Sequence, residues 1–360
     1  MPRVLIIGTG IAGLFAALRL ANAGHMVTVL TKQRPIDSST NWAQGGIAAI
    51  LDKTNVEEIE GHVADTLHAG AGMCDKSVVR MVVEEAGGRI QDLLEIGVQF
   101  EKTTEGEFQL AQEGGHSSRR ILHAKDATGR EIERALNDAA QRHPNIFMKA
   151  NTLAIDLIQK EHKFPEKGVC GVWALNQESG TVETISGDAV LLATGGAGQL
   201  WDKTTNPSVA TGDGVAMAYR TGACIENMAY VQFHPTALMV EGERPFLITE
   251  ALRGEGAVLL DHEGYTEWCK NKQRDPAELS FTLRASKKGS MATRDIVARA
   301  IDQRLTETGK SHVWLVTQHL DSEKLKHRFP TIAERLQTYG LNLGMDPLPV
   351  GPAAHYMVGG

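Results

Sequence analysis

A glycine-rich turn near the start of the chain, between a predicted strand and a predicted helix, constrains the fold more than any other feature. An apolar run at residues 4–7 predicts a buried strand, the turn GTGIAG occupies 8–13, a helix is predicted over 11–23, and a second strand over Met26–Leu30. In such a βαβ unit one glycine permits a tight turn, one lets the backbone approach a pyrophosphate, and one lets the helix pack on the strand. The helix N-terminus then faces the phosphate charge. The unit predicts a Rossmann-like, dinucleotide-binding α/β domain.

The end of the second strand departs from the usual nicotinamide-binding pattern. An acidic residue commonly stands there and binds the ribose hydroxyls, whereas this chain has Thr31 and Lys32. The departure disfavours NAD more than it disfavours dinucleotide binding in general.

Composition and charge exclude several classes of protein. The length of 360 residues predicts two domains, and 42% hydrophobic with 22% charged residues exclude a disordered chain, a coiled coil and a collagen. The net charge of −7 favours neither nucleic acid nor an anionic membrane as a partner, and no apolar run reaches the length of a membrane span. Four scattered cysteines without a C-x-x-C pair predict no metal site and a cytoplasmic location.

Periodicity and turn residues predict the later elements. We expect a polar loop along a bound cofactor at 38–46, helices over 56–69, 77–96, 130–142, 293–305 and 331–339, a strand-rich meander over 145–186, a buried strand over 189–193, a helix from 211 to about 221, and an extended segment at 231–236. The polar stretch 264–290 gives no clear prediction.

A charged segment at 113–123 is dense in groups that bind anions or carry protons. It combines Glu113 with His116, His123, Arg119 and Arg120 around a glycine pair. Arginine forks bind carboxylates with two bonds, and histidine exchanges protons near neutral pH. The segment predicts part of a substrate site, although a solvated charged loop would have a similar sequence.

Taken together, these motifs resemble the flavoprotein family of succinate dehydrogenase, fumarate reductase and L-aspartate oxidase. Within that family the segment 113–123, and Gln232 directly before the motif FHPT, match the oxidase members. Ser39 stands where dehydrogenase members carry the histidine that bonds covalently to the flavin. The resemblance implies non-covalent FAD and a Rossmann-like FAD-binding domain with an inserted α+β capping domain. The implied boundaries are 1–227 for the first part of the FAD domain, 228–354 for the cap, and 355–360 for the start of the return.

The resemblance also implies site residues. The implied FAD contacts are Gly8, Thr9, Gly10, Ile11, Ala12, Gly13, Lys32, Ser39, Thr40, Asn41, Trp42, Ala43, Gln44, Gly45, Gly46 and Asp213. The implied catalytic residues are Arg294, His234, His355 and Glu113, and the implied substrate contacts are Gln232, Thr249 and Glu250. Glu113 is expected to favour the ammonium group of aspartate through its opposite charge.

The implied reaction is the oxidation of L-aspartate to iminoaspartate, with a hydride passing to FAD and then electrons to dioxygen or fumarate. In the family this is the first step of quinolinate and NAD biosynthesis, which implies contact with quinolinate synthase. Family chains continue past the return at His355 with a further FAD-contacting glutamate, a second substrate arginine and a helical domain. We therefore expect this sequence to be truncated at its C-terminus, with impaired or absent activity.

Two alternatives stay open at this point. The first is a flavoprotein like fumarate reductase or succinate dehydrogenase, against which Ser39 and Glu113 argue. The second is a non-catalytic fragment whose missing half comes from a partner chain.

Overall fold

The computed structural model describes residues 2–360. Its strands are β1 (Arg3–Ile7), β2 (Met26–Leu30), β3 (Ile47–Ala48), β4 (Leu110–Ala111), β5 (Ile121–Leu122), β6 (Ile146–Lys149), β7 (Thr152–Gln159), β8 (Val169–Asn176), β9 (Thr181–Ser186), β10 (Ala189–Leu192), β11 (Val231–Leu238), β12 (Phe246–Leu247), β13 (Val258–Leu260), β14 (Val313–Val316) and β15 (Leu348–Met357). Its α-helices are α1 (Ile11–Asn22), α2 (Ser39–Trp42), α3 (Val56–Ala69), α4 (Lys76–Ile96), α5 (Thr128–Arg142), α6 (Asp213–Arg220), α7 (Ala251–Gly254), α8 (His262–Lys270), α9 (Arg294–Thr308), α10 (Ser322–Arg328) and α11 (Pro330–Gln337).

The first large sheet is parallel and covered on both faces. Its strand order is β10-β1-β2-β6, and α1 connects β1 to β2. Ile6 packs in a core with α1 and α5, whereas Leu5 and Ile7 pack in another core with the antiparallel meander β7-β8-β9. A strand buried on both faces is apolar throughout rather than alternating. The predicted Rossmann-like α/β fold is confirmed.

The second large sheet is antiparallel and has the order β12-β11-β15-β14-β13. Apolar residues of α9, α10 and α11, including Val297, Leu325 and Ile332, pack in its core. In the register of β11 and β15, His234 lies opposite Ala353 and Gln232 lies opposite Tyr356. The α+β part of the chain thus brings residues separated by more than a hundred positions into one place.

The structure differs from the sequence prediction in four segments. The segment predicted as a buried strand over 189–193 forms β10 at the edge of the parallel sheet, and Ala189 and Leu191 are exposed there because only one neighbouring strand covers it. β6 joins the parallel sheet, so the meander contains only β7, β8 and β9. The segment 38–46 starts with the helical turn α2, because Ser38 Oγ accepts a hydrogen bond from the Asn41 backbone N–H and caps it. The unassigned stretch 264–290 is helical, formed by most of α8 and three 3₁₀ turns, and the buried Trp268 anchors it.

Within residues 2–360, no helix has the combination of length and apolar character needed to cross a bilayer. The same residues contain no group of three histidine, cysteine, aspartate or glutamate side chains placed to hold a metal ion.

Candidate functional site

A groove lies at the carboxyl ends of β1, β2 and β10, where ligands bind in open α/β sheets. It encloses about 1120 Å³, part of it open to solvent, and residues 8–12 form one wall. Ser38, Ser39, Thr40 and Thr194 lie on other parts of the lining. Of the predicted cofactor loop, Ser39 and Thr40 line this groove, and so do Thr194 and residues 152–154 of β7, which sequence analysis did not propose.

Two glycines bring bare backbone to this groove because a side chain would not fit. A Cβ on Gly8, whose φ is 116°, would lie 2.1 Å from Ala193 O, and one on Gly13 would lie 2.0 Å from Gly8 O. Thr40 Oγ1 accepts a hydrogen bond of 3.0 Å from the Ile11 N–H and so lies over the start of α1. The turn therefore has the close approach and the polar helix terminus that a bound pyrophosphate requires.

An ion pair spans the groove beside the end of β2. Lys32 Nζ donates to Asp213 Oδ2 and to Thr211 Oγ1, each at 2.5 Å, and Lys32 and Asp213 both line the groove. An acidic group thus lies beside the end of β2 after all, and it comes from the first residue of α6, 181 positions away. A carboxylate beside hydroxyl groups suits the ribose of a dinucleotide.

The rest of the predicted cofactor segment leads away from the groove. Among the described residues, Asn41, Trp42, Ala43, Gln44, Gly45 and Gly46 lie outside the groove lining. Gln44 Nε2 donates to Leu247 O at 2.6 Å, and its buried Oε1 has no hydrogen-bond partner within residues 2–360. A Cβ on Gly45 would lie 3.1 Å from Glu113 Oε1. This segment therefore connects the groove to a second polar cluster and leaves one buried acceptor available to a ligand.

That second cluster surrounds Arg294, the first residue of α9. Its Nε donates to Glu250 Oε2 at 2.5 Å, its Nη1 to Gln232 Oε1 at 3.1 Å, and its Nη2 to Glu113 Oε2 at 3.4 Å. The three partners come from three separate segments of the chain, and we call the four residues the Arg294 cluster. The structure thus brings together four residues that sequence analysis proposed for the substrate site.

Burial and ion pairing set the charges in the Arg294 cluster. Burial raises the pKa of the Glu113 carboxyl, although the neighbouring Arg294 partly opposes this. Burial also disfavours the charged Arg294 guanidinium, but Glu250 and Glu113 outweigh it and raise the pKa of Arg294 above its usual value. Arg294 therefore stays a cation, and its side chain retains 23% exposure through which a ligand can reach it.

Two neutral histidines lie close to one another in the same region. The rings of His234 and His355 are 5.1 Å apart between centroids. Complete burial, assisted by Arg294, lowers the pKa of His234 well below its usual range. His355 is only partly exposed, and its burial together with Arg294 lowers its pKa to about 3. The backbone N–H of Thr236 donates to His234 Nδ1 at 3.2 Å, which leaves the hydrogen of that neutral ring on Nε2.

Sequence analysis missed one member of this region. Arg253 is 1% exposed, its Nη2 lies 3.1 Å from Glu250 Oε1, and its Nη1 donates to Ser290 O at 2.5 Å. The signal was available, because residues three positions apart on a helical turn lie on one face. Thr249, which precedes Glu250, is buried as well.

The charged segment 113–123 contributes only part of itself to the Arg294 cluster. Glu113 lies there, whereas Arg120 is buried elsewhere and its Nη1 donates to Asp65 Oδ2 at 2.7 Å. Ser117 also donates to that carboxylate, from its backbone and its hydroxyl. Arg120 thus fixes the segment 113–123 on α3. It contributes to the site by holding the backbone of this segment in place.

Comparisons with known proteins agree with this geometry. An L-aspartate oxidase of Nicotiana tabacum (2-a, chloroplastic) is 44% identical over 99% of this chain and 54% of its own length. The L-aspartate oxidase of Yersinia pestis is 44% identical over 99% of this chain and 65% of its own length. A structure of an E. coli quinol fumarate reductase variant superposes with a TM-score of 0.87 at 28% identity, covering 100% of this chain and 61% of that one.

The chain therefore spans between about half and two thirds of the length of the relatives it matches. The family model described as an FAD binding domain matches residues 3–360. The chain belongs to this FAD-binding family of flavoproteins, as its motifs predicted.

Proposed function

We propose that this chain carries the flavin-binding and substrate-binding parts of an L-aspartate oxidase, which converts L-aspartate to iminoaspartate with dioxygen or fumarate as electron acceptor. The observation that carries the proposal is the Arg294 cluster, in which a guanidinium lies between the carboxyl groups of Glu113 and Glu250. The 44% identity to L-aspartate oxidases over 99% of the chain supports it. This reaction is the first step of quinolinate and NAD biosynthesis.

The groove residues fit FAD, which supplies hydride acceptance when it is bound. The backbone of residues 8–12, the hydroxyls of Ser39 and Thr40, and the pair of Lys32 and Asp213 would hold it. We propose that the flavin is bound without a covalent link, because the segment 38–46 contains no histidine and has a serine at the position of the family's covalent histidine.

The Arg294 cluster suits a dicarboxylate that carries an ammonium group. Arg294 can bind one carboxylate of the substrate through two parallel hydrogen bonds. The Nε2–H of His234 supplies a neutral donor beside it, inferred from the hydrogen bond that its Nδ1 accepts. Glu113 then attracts the ammonium of aspartate, which fumarate and succinate lack, and the incoming cation compensates for the burial of this carboxyl group.

Glu250 has a different role, because it lies between two arginines. One oxygen accepts from Arg294 Nε at 2.5 Å, and the other lies 3.1 Å from Arg253 Nη2. This arrangement holds the plane of the Arg294 guanidinium while leaving its exposed edge to the substrate. It also connects the substrate site to the buried Arg253.

We further propose the organisation 1–227, 228–354 and 355–360 for the FAD domain, the cap and the start of the return. In support, two core clusters draw only on residues 4–217 and a third only on residues 238–350. The cytoplasmic location that we propose rests on the scattered cysteines, and the proposed contact with quinolinate synthase rests on the sequence resemblance alone.

A substitution at Glu113 tests the proposal. Glu113→Gln keeps a hydrogen-bonding side chain but removes the charge, so it should reduce aspartate oxidation far more than fumarate reduction by the FAD-loaded chain. Hydrogen peroxide formation and oxidation of a reduced dye by fumarate measure the two activities. Equal losses in both assays would contradict the role of Glu113, and activity on succinate in place of aspartate would favour the fumarate reductase alternative.

A further inference from the structure

Thr205 and Asn206 hold His355 from two sides. His355 Nδ1 lies 2.7 Å from Thr205 Oγ1, and the backbone oxygen of His355 accepts a hydrogen bond of 2.7 Å from Asn206 Nδ2. Thr205 is buried, with 7% of its surface exposed. This contact joins the ring of a predicted catalytic residue to a hydroxyl group 150 positions earlier in the chain.

The acceptors available to the Thr205 hydroxyl determine where its hydrogen points. The nearest alternative acceptor is Ala354 O, which already accepts from Thr205 N and from Thr204 Oγ1, each at 3.0 Å. A carbonyl oxygen has two lone pairs, so both are occupied. Thr205 Oγ1 lies 3.4 Å from this oxygen but only 2.7 Å from His355 Nδ1. The hydroxyl hydrogen therefore goes to Nδ1, which must be the bare nitrogen of a neutral ring.

We propose that Thr205 is a positioning residue that fixes His355 as the tautomer with its hydrogen on Nε2. Thr236 N–H imposes the same tautomer on His234 by donating to its Nδ1. The two rings, 5.1 Å apart, then present two neutral Nε2–H donors in one place. Such a pair matches a ligand that has only acceptors at that end, namely a carboxylate. This consequence for the ligand rests on the proposed function, whereas the tautomer itself does not.

The electrostatic environment of His355 favours the neutral form of its ring. Burial lowers the pKa of His355 to about 3, and the nearby Arg294 adds to the effect. A neutral ring has one donor and one acceptor, so fixing one nitrogen also fixes the other.

Nitrogen-15 NMR of the whole chain, labelled only in histidine, tests the tautomer directly. Bare and protonated ring nitrogens differ widely in chemical shift, and the signal of His355 among the thirteen histidines is found by its loss in His355→Asn. We expect a protonated Nε2 and a bare, hydrogen-bonded Nδ1 at neutral pH. A proton on Nδ1 of His355 in the unmodified chain would overturn the proposal, whatever the substrate is.

Binding of succinate, a non-reacting dicarboxylate for the proposed oxidase, tests the consequence by calorimetry on the FAD-loaded chain. Thr205→Val removes the hydroxyl but keeps the shape of the side chain. It should weaken binding about tenfold, because the Nε2–H of His355 is then no longer oriented to donate roughly one hydrogen bond to the ligand. Thr205→Ser should restore binding. Thr317→Val, which removes a fully buried hydroxyl that accepts from Gly344 N–H in the cap, should leave binding unchanged.

The two experiments separate failure of this inference from failure of the proposed function. Unchanged affinity in Thr205→Val, or failure of Thr205→Ser to restore it, would overturn the positioning role. If Thr205→Val does not fold, the tautomer in the unmodified chain and the affinity of Thr205→Ser still decide. A chain that has the expected tautomer but binds no dicarboxylate would contradict the proposed function and the ligand consequence, and would leave the tautomer assignment standing.

Discussion

Replacing Glu133 with glutamine isolates the effect of burying one carboxyl group beneath the flavin groove. Glu133 lies on α5, is 1% exposed, and accepts hydrogen bonds from Ser38 Oγ at 3.0 Å and Asn137 Nδ2 at 3.1 Å. Both donors are neutral. Burial therefore outweighs them and raises the pKa of Glu133 from an ordinary 4.5 to about 7.

The sign and size of the effect follow from linkage. Because the folded state holds this proton more tightly than the unfolded state, the stabilisation is complete below pH 4.5 and is lost as pH rises to about 7. At 1.36 kcal/mol for each pKa unit, the loss is about 3 kcal/mol. Glutamine carries no charge at any pH, so Glu133→Gln should be free of this loss.

Urea unfolding at pH 5, 6, 7 and 8 measures this loss of stability. The quantity compared is the difference in free energy of unfolding between Glu133→Gln and the unmodified chain. We expect that difference to grow in favour of the variant by about 2.5 kcal/mol from pH 5 to 8, since part of the full loss already occurs below pH 5. Glu131→Gln, on the same helix, is the matched control. Its carboxyl group has a lowered pKa because Arg134 donates to it, so its contribution is lost only in acid and the difference should be flat from pH 5 to 8. A flat difference for Glu133→Gln, or one of opposite sign, would refute the reasoning.

Three other substitutions test separate parts of the structure. Arg294→Lys keeps the charge but loses the planar fork. It should lower kcat/KM for aspartate roughly 100-fold, because two or more charge-assisted hydrogen bonds to the substrate are lost. Steady-state kinetics measure this loss, and a decrease of less than about fivefold would contradict a bidentate contact. Gly8→Ala places a Cβ 2.1 Å from Ala193 O and should abolish FAD binding in a fluorescence titration. The control is Gly88→Ala inside α4, where the added Cβ has only Lys53 Nζ within 4 Å. This control should retain FAD binding and stabilise the chain by about 0.5–1 kcal/mol. Trp268→Ala removes a side chain that is 1% exposed and should destabilise the cap by about 3–5 kcal/mol in urea unfolding; a change under 1 kcal/mol would show that α8 does not anchor the stretch 264–290.

Local patterns predicted the first βαβ unit closely, because strand, turn and helix each have a short-range signal. The second strand has the predicted bounds Met26–Leu30, and α1 ends within one residue of the prediction. Asp75 directly precedes α4 and caps it, because its carboxylate accepts hydrogen bonds from the N–H groups of Ser77 and Val78. Caps and glycine turns are set by neighbours in sequence, so they can be inferred from one chain.

Contacts between distant segments could not be predicted in the same way. The pairing of Lys32 with Asp213 depends on how α6 lies against the parallel sheet. The stretch 264–290 lacks a clear helical pattern, and its turns depend on Trp268 being buried beneath them. Sequence analysis expected Glu113 to face an ammonium group. The structure places it against Arg294, and that contact links the segment after β4 to the start of α9.

The measurement that tests the central claim most directly is anaerobic reduction of the FAD-loaded chain in a stopped-flow spectrometer. On mixing with L-aspartate, the absorbance band of oxidised flavin should disappear in a single phase. Mixing with succinate should leave the band unchanged, and Glu113→Gln should slow the reaction with aspartate. Reduction by succinate but not by aspartate, or bound FAD that neither compound reduces, would contradict the account of this chain as the flavin and substrate parts of an L-aspartate oxidase.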